Sequence, residues 1–172
     1  MPAIVADASI LIHLSKIGCF HLLKDVYGEL NIAPSVFTEV VEKGWGLAGS
    51  VETENAVREG WLKVTSVVDK LKARETAVKR KIHLSNAETV QLAYELRASV
   101  LLADEEEVRS LASEFGLEVK GCLGLLVEAV RRGLISIMEA KRDAERLVEG
   151  GYRVGEKVLK EFHAMLEEEE TG

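Results

Sequence analysis

The chain has 172 residues, 47% hydrophobic and 30% charged, and 22 Lys plus Arg against 29 Asp plus Glu leave a formal net charge of −7. That is the size of one domain with a sizeable core, and no apolar run approaches the roughly 18 residues of a membrane span. The opening Met-Pro-Ala-Ile-Val-Ala-Asp lacks the charged-then-apolar pattern of a secretory signal, so a soluble, cytoplasmic single domain over 1–172 is expected.

Ala3 to Ala6 is a short apolar run that ends at Asp7, and a helical period begins directly after it with Ile10, Leu11, Leu14 and Ile17. Gly18 interrupts that helix. Phe20 to Val26 restarts one that stops before Gly28, and Leu30 to Ala33 reads as a second strand. Pro34 suits a first helical position, with Val36, Phe37, Val40 and Val41 forming one stripe up to Gly44. Gly44 to Gly49 is a loop, Val51 to Arg58 a helix, and Trp61 to Val68 an alternating, edge-type strand. Lys70 to His83 has a weak period and is expected as a mobile helix or loop. Beyond it, Val90, Ala93, Tyr94 and Arg97 mark a helix, and Ser99 to Ala103 is an apolar strand ending at Asp104. Val108 to Phe115 is helical, Leu117 to Val119 a brief strand, and Leu123 to Val130 helical again. Two C-terminal helices are expected from about residue 139, followed by a frayed acidic tail over 167–172. Such an alternation predicts an α/β domain of three layers, α/β/α, around a central, mostly parallel sheet.

Ligands of such sheets gather beyond the carboxyl ends of the strands, where Asp7 and Asp104 both fall. Glu39 and Glu88 lie in helices that follow strands, and Asp104 is succeeded by Glu105, Glu106 and Glu107. Each acid has a bland role open to it. Asp7 and Asp104 suit N-caps, Ser85 with Glu88 fits a capping box, and Glu39 suits a solvated helix face. Together, carboxylates sharing one crevice repel one another unless a cation compensates, which points to hard-metal ligation and metal-assisted phosphodiester hydrolysis.

Four segments, Val5 to Gly18, Ala33 to Val41, Leu84 to Ala93 and Leu101 to Arg109, resemble in order and spacing the acidic motifs of PIN domains. Val119 to Leu126 is similar to the segment after the last acid in a prokaryotic, largely archaeal PIN subfamily. The resemblance runs from about Ala3 to Leu159. It implies an endoribonuclease that uses Mg²⁺ or Mn²⁺, similar to the toxin of Vap toxin–antitoxin pairs, with RNA as substrate, a small antitoxin as partner and a homodimeric state. Carried over by position, Asp7 is the central metal ligand and Ser9 supports it by a hydroxyl contact. Glu39 ligates or positions the metal, Glu88 takes the third acidic role, and Asp104 or Glu105 the fourth. The chain departs from the pattern at Asn86, where Glu is frequent, at Ala103, where Thr or Ser is, and at Cys122, where Thr is common. The departures at Asn86 and Ala103 support a second reading, a catalytically weakened RNA-binding or protein-interaction module.

Lys70, Lys72, Arg74, Lys79, Arg80 and Lys81 form the one concentrated basic stretch. They would either grip an RNA backbone or line a solvated helix. His13 would approach the crevice as a proton shuttle or serve as a structural histidine. Cys19 and Cys122 stand far apart and in no C-x-x-C spacing, which argues against a disulfide scaffold and a Cys-type zinc site. A phosphatase of haloacid-dehalogenase type needs a second Asp two residues after the first, where this chain has Ser9.

Overall fold

The computed structural model describes residues 2–171. Five short parallel strands form its sheet: β1 (Ile4–Ala6), β2 (Leu30–Ile32), β3 (Leu62–Val64), β4 (Val100–Leu102) and β5 (Val119–Lys120), in the order β3-β2-β1-β4-β5. β1 pairs with β4 through Ile4 to Val100, Val5 to Leu101 and Ala6 to Leu102. Both strands are buried throughout, as a parallel strand covered on its two faces requires.

Ten α-helices surround the sheet among the described residues: α1 (Ala8–Lys16), α2 (His21–Tyr27), α3 (Pro34–Phe37), α4 (Ser50–Glu59), α5 (Lys70–Arg80), α6 (Leu84–Glu95), α7 (Glu106–Glu114), α8 (Cys122–Arg131), α9 (Ile137–Glu149) and α10 (Glu156–Thr171). α8 packs against α1, α2, α9 and α10, while α6 packs against α3, α5 and α7, giving the layers on either side of the sheet. The three-layer α/β/α architecture expected from the alternation is therefore present.

Several local expectations are revised. The strand predicted over Trp61 to Val68 is confined to Leu62–Val64, because β2 offers only Leu30–Ile32 as a partner. Beyond it the Val68 and Asp69 amides donate to the Glu95 carboxylate, at 2.7 and 2.9 Å. The charged stretch that follows is a regular helix, α5, capped by the Asp69 side chain on the Lys72 amide at 2.9 Å and seated on α6 through the buried Ala73. Ser85 is not a cap. Lys81 adopts a positive φ of 56° that ends α5, His83 is extended, and α6 starts at Leu84, leaving Ser85 inside its first turn and Glu88 without a capping role. The helix after β2 continues from α3 into a π-helical turn, Thr38–Glu42, in which the Lys43 amide reaches back to the Thr38 carbonyl. The acidic run expected as a frayed end forms the last turns of α10, where Glu169 pairs with Arg131 at 2.8 Å; Gly172 lies outside the described residues.

Candidate active site

The sheet order reverses between β1 and β4, so the crevice for a ligand opens beyond the carboxyl ends of those two strands. Asp7 follows β1 directly, and its amide donates to the Leu102 carbonyl of β4 at 2.9 Å. Asp104 leaves β4 two residues later. One side chain ties the Asp7 carboxylate to the backbone of Asp104: Ser9 Oγ lies 2.7 Å from both Asp7 oxygens and accepts the Asp104 amide at 3.1 Å. Asp7 also caps α1, accepting the Ile10 amide at 2.9 Å. Capping and crevice roles thus coexist in one residue.

Asp7 is 1% exposed. Burial pushes its carboxyl from the usual 3.8 to about 7; the Ile10 and Ser9 hydrogen bonds oppose this, and the negative charges of Asp104 and Glu105 add to it. Asp104 behaves oppositely. Burial alone would push it up, but hydrogen bonds from His13, Cys122 and Tyr152 outweigh that and hold it below its ordinary range. Its Oδ1 accepts the Cys122 amide at 2.9 Å and the Tyr152 hydroxyl at 2.8 Å, while Oδ2 faces the Cys122 thiol at 2.9 Å and His13 Nδ1 at 3.1 Å. A Cβ on Gly121 would lie 2.5 Å from Oδ1, so this cage closes only around glycine.

Glu105, exposed at the start of α7, accepts from the buried Asn86 amide at 2.8 Å, and Asn86 shares the same nitrogen with Glu107 at 3.0 Å. Glu39 is exposed on the π-helical turn. Partial burial and then the charge of Glu105 raise its carboxyl, with His83 and Lys43 opposing. Charge coupling therefore runs from Glu39 to Glu105, from Glu105 to Asp7, and from Asp7 to Asp104. Glu88 is half-buried on α6, and among the described residues no ion pair or side-chain hydrogen bond connects it to the other acids. The six basic residues at 70–81 are all exposed, with Arg80 paired to Glu114.

Nothing local in the sequence marks Asn86, Gly121 or Tyr152 as site residues: Asn86 is only a departure from the family pattern, and Tyr152, in the connection between α9 and α10, carries no local signal of its role. A family model described as a PIN domain matches residues 3–168. The chain belongs to the PIN-domain family. PIN domains are generally nucleases and typically use divalent metal ions. Comparison with curated proteins returned no match. Among the described residues of this PIN domain, no helix is long and apolar enough to cross a membrane.

Proposed function

We propose that this PIN domain is a divalent-metal-dependent endoribonuclease that hydrolyses RNA phosphodiester bonds, with Asp7, Glu39, Glu88 and Asp104 as its acidic residues and Glu105 beside them. The observation that carries the reading is the buried Asp7 carboxylate, tied through Ser9 to Asp104 and facing like charge from Asp104 and Glu105. Among the described residues only neutral donors, Ser9 Oγ and the Ile10 amide, compensate Asp7. An all-oxygen, acidic donor set of this kind fits Mg²⁺ or Mn²⁺. Such a cation, when bound, activates water and offsets charge on the phosphodiester. Asp7 would anchor it, with Ser9 fixing the carboxylate's orientation and Asp104 held ionised by its cage.

Lys70, Lys72, Arg74, Lys79, Arg80 and Lys81 on α5 would hold the RNA backbone by phosphate contacts. The toxin role, with a small antitoxin as partner, a homodimeric state and a cytoplasmic setting, rests on the sequence likeness to Vap-type toxins. Replacing Asp7→Asn should abolish Mn²⁺-dependent RNA cleavage while circular dichroism stays that of the wild type. A wild-type protein that cleaves neither single-stranded nor structured RNA with Mg²⁺ or Mn²⁺ would sink this reading.

One observation favours the second reading, a weakened RNA-binding or protein-interaction module: both Asp104 oxygens already face protein hydrogen-bond partners. Mn²⁺ titration separates the two, because a catalytic pocket binds the ion in a range of about 1–100 μM and the module does not.

A further inference from the structure

Asp104, an acid of the proposed nuclease site, is also the centre of a second donor set whose other two members, His13 and Cys122, hard-metal hydrolysis leaves unused. His13 Nδ1 and Cys122 Sγ both face its Oδ2, at 3.1 and 2.9 Å, and the three ligating atoms lie within 4.8 Å of one another. An imidazole nitrogen, a thiol sulfur and a carboxylate oxygen suit zinc-type cations, whereas Mg²⁺ takes oxygen alone. A tetrahedral zinc with bonds of about 2.0 to 2.3 Å holds its ligands roughly 3.3 to 3.6 Å apart. The Oδ2–Nδ1 edge, at 3.1 Å, therefore needs to open by about 0.2 Å and the Oδ2–Sγ edge, at 2.9 Å, by about 0.6 Å, while Nδ1 and Sγ already lie within 4.8 Å of each other.

The three donors come from α1, the segment after β4 and the first residue of α8, so no sequence spacing announces them. The thiol stands where Thr is common in the PIN subfamily that this chain resembles. Cys122 is fully buried and the Asp104 side chain only 5% exposed, but the His13 side chain is 25% exposed and offers the way in. On the other side, Tyr152 and Gly121 border a groove of about 540 Å³.

We propose that His13, Asp104 and Cys122 form a binding site for a soft divalent cation of the zinc type, and that its occupancy withdraws Asp104 Oδ2 from the acidic pocket. Ligation replaces both hydrogen bonds on that oxygen. Cys122 releases its thiol proton to solvent and binds as thiolate, and His13 binds through the Nδ1 lone pair with its proton on Nε2. The site stands on its own donors; only the consequence, loss of RNA cleavage, rests on the nuclease reading above.

Co²⁺ takes the same donors and reports a thiolate ligand through a near-ultraviolet charge-transfer band. Titrated into the intact chain, it should give that band at roughly one ion per chain, and Zn²⁺ but not excess Mg²⁺ should erase it. Cys19→Ser should keep the band, Cys122→Ser should lose it, and His13→Gln should weaken Co²⁺ binding by about tenfold or more. No band in the wild type, or a band that survives Cys122→Ser, overturns the site. Should circular dichroism show Cys122→Ser unfolded, unchanged Co²⁺ affinity in His13→Gln overturns it instead. In a cleavage assay with excess Mn²⁺, Zn²⁺ should inhibit the wild type about tenfold and His13→Gln no more than about twofold relative to its own rate. Equal inhibition of both removes the regulatory consequence. If the wild type cleaves no RNA at all, the nuclease reading fails while the cobalt band still decides the site.

Discussion

The Tyr152 hydroxyl donates to Asp104 Oδ1 at 2.8 Å across 48 positions of sequence. The C-terminal helices thus reach the sheet edge through one phenol, and α9 and α10 are tied to the crevice rather than appended to it. Tyr152→Phe removes one hydrogen bond from a buried carboxylate oxygen and should cost about 1.5–3 kcal/mol. It should also lower Mn²⁺-dependent RNA cleavage by about tenfold. Thermal melting and a cleavage assay check the two effects separately, and a rate unchanged from the wild type would leave Tyr152 a purely structural tie.

Asp7 makes stability depend on pH in an unusual direction. Its carboxyl titrates at about 7 when folded and near 3.8 when exposed, chiefly because burial penalises the charge. The folded state therefore holds the proton more tightly, and this contribution to stability is complete below the lower value and is lost as pH rises through the upper one. Without divalent ions, melting temperature should fall between about pH 5 and about pH 8, and Asp7→Asn should flatten that fall. Mn²⁺ should stabilise the wild type more at the higher pH, since it binds the ionised carboxylate. Identical pH profiles for wild type and variant would contradict this account.

Gly121 leaves room for Asp104. A methyl group there would meet Oδ1 at 2.5 Å, and that oxygen cannot swing aside without giving up the Cys122 amide and the Tyr152 hydroxyl. Gly121→Ala should destabilise the protein by about 1–3 kcal/mol, the usual range for overpacking a tight site. Chemical denaturation measures it, and a cost below a few tenths would show that the cage yields.

Asn86 bridges two acids with one amide nitrogen, holding Glu105 and Glu107 at 2.8 and 3.0 Å. Asn86→Asp would replace that donor with a third negative charge. We expect a loss of about 1–3 kcal/mol, partly recovered by adding Mg²⁺. Calorimetry with and without the ion distinguishes this from a simple packing defect, which Mg²⁺ would not repair.

Lys72 and Lys79 lie on the exposed basic face of α5, with no ion-pair partner among the described residues. If that face holds RNA, reversing both charges should weaken binding across sequences and lower the slope of log affinity against log salt by about 1.4 on single strands. An unchanged slope would return α5 to a solvated helix.

Residues whose neighbours in sequence are also their partners were readable before folding. Asp7 ends an apolar run and caps the next helix, and Ser9, two positions on, supports the same carboxylate. Lys70 to Arg80 was harder, because its stability as a helix comes from the Asp69 cap and from Ala73 buried on α6 rather than from its own period. Ser85 and Glu88 misled for a related reason. The spacing of a capping box was present, but the extended His83 started the helix two residues earlier.

The order of strands and helices, the parallel layered class and the acids at strand ends followed from periodicity and local chemistry, which act over a few residues. Chain folding alone chose which acids would meet. It set β1 beside β4, leaving Asp7 next to Asp104, and it brought His13, Cys122 and Tyr152 from α1, α8 and the α9–α10 connection onto one carboxylate. Contacts between distant segments depend on how buried layers pack, and no pattern within any one segment encodes them.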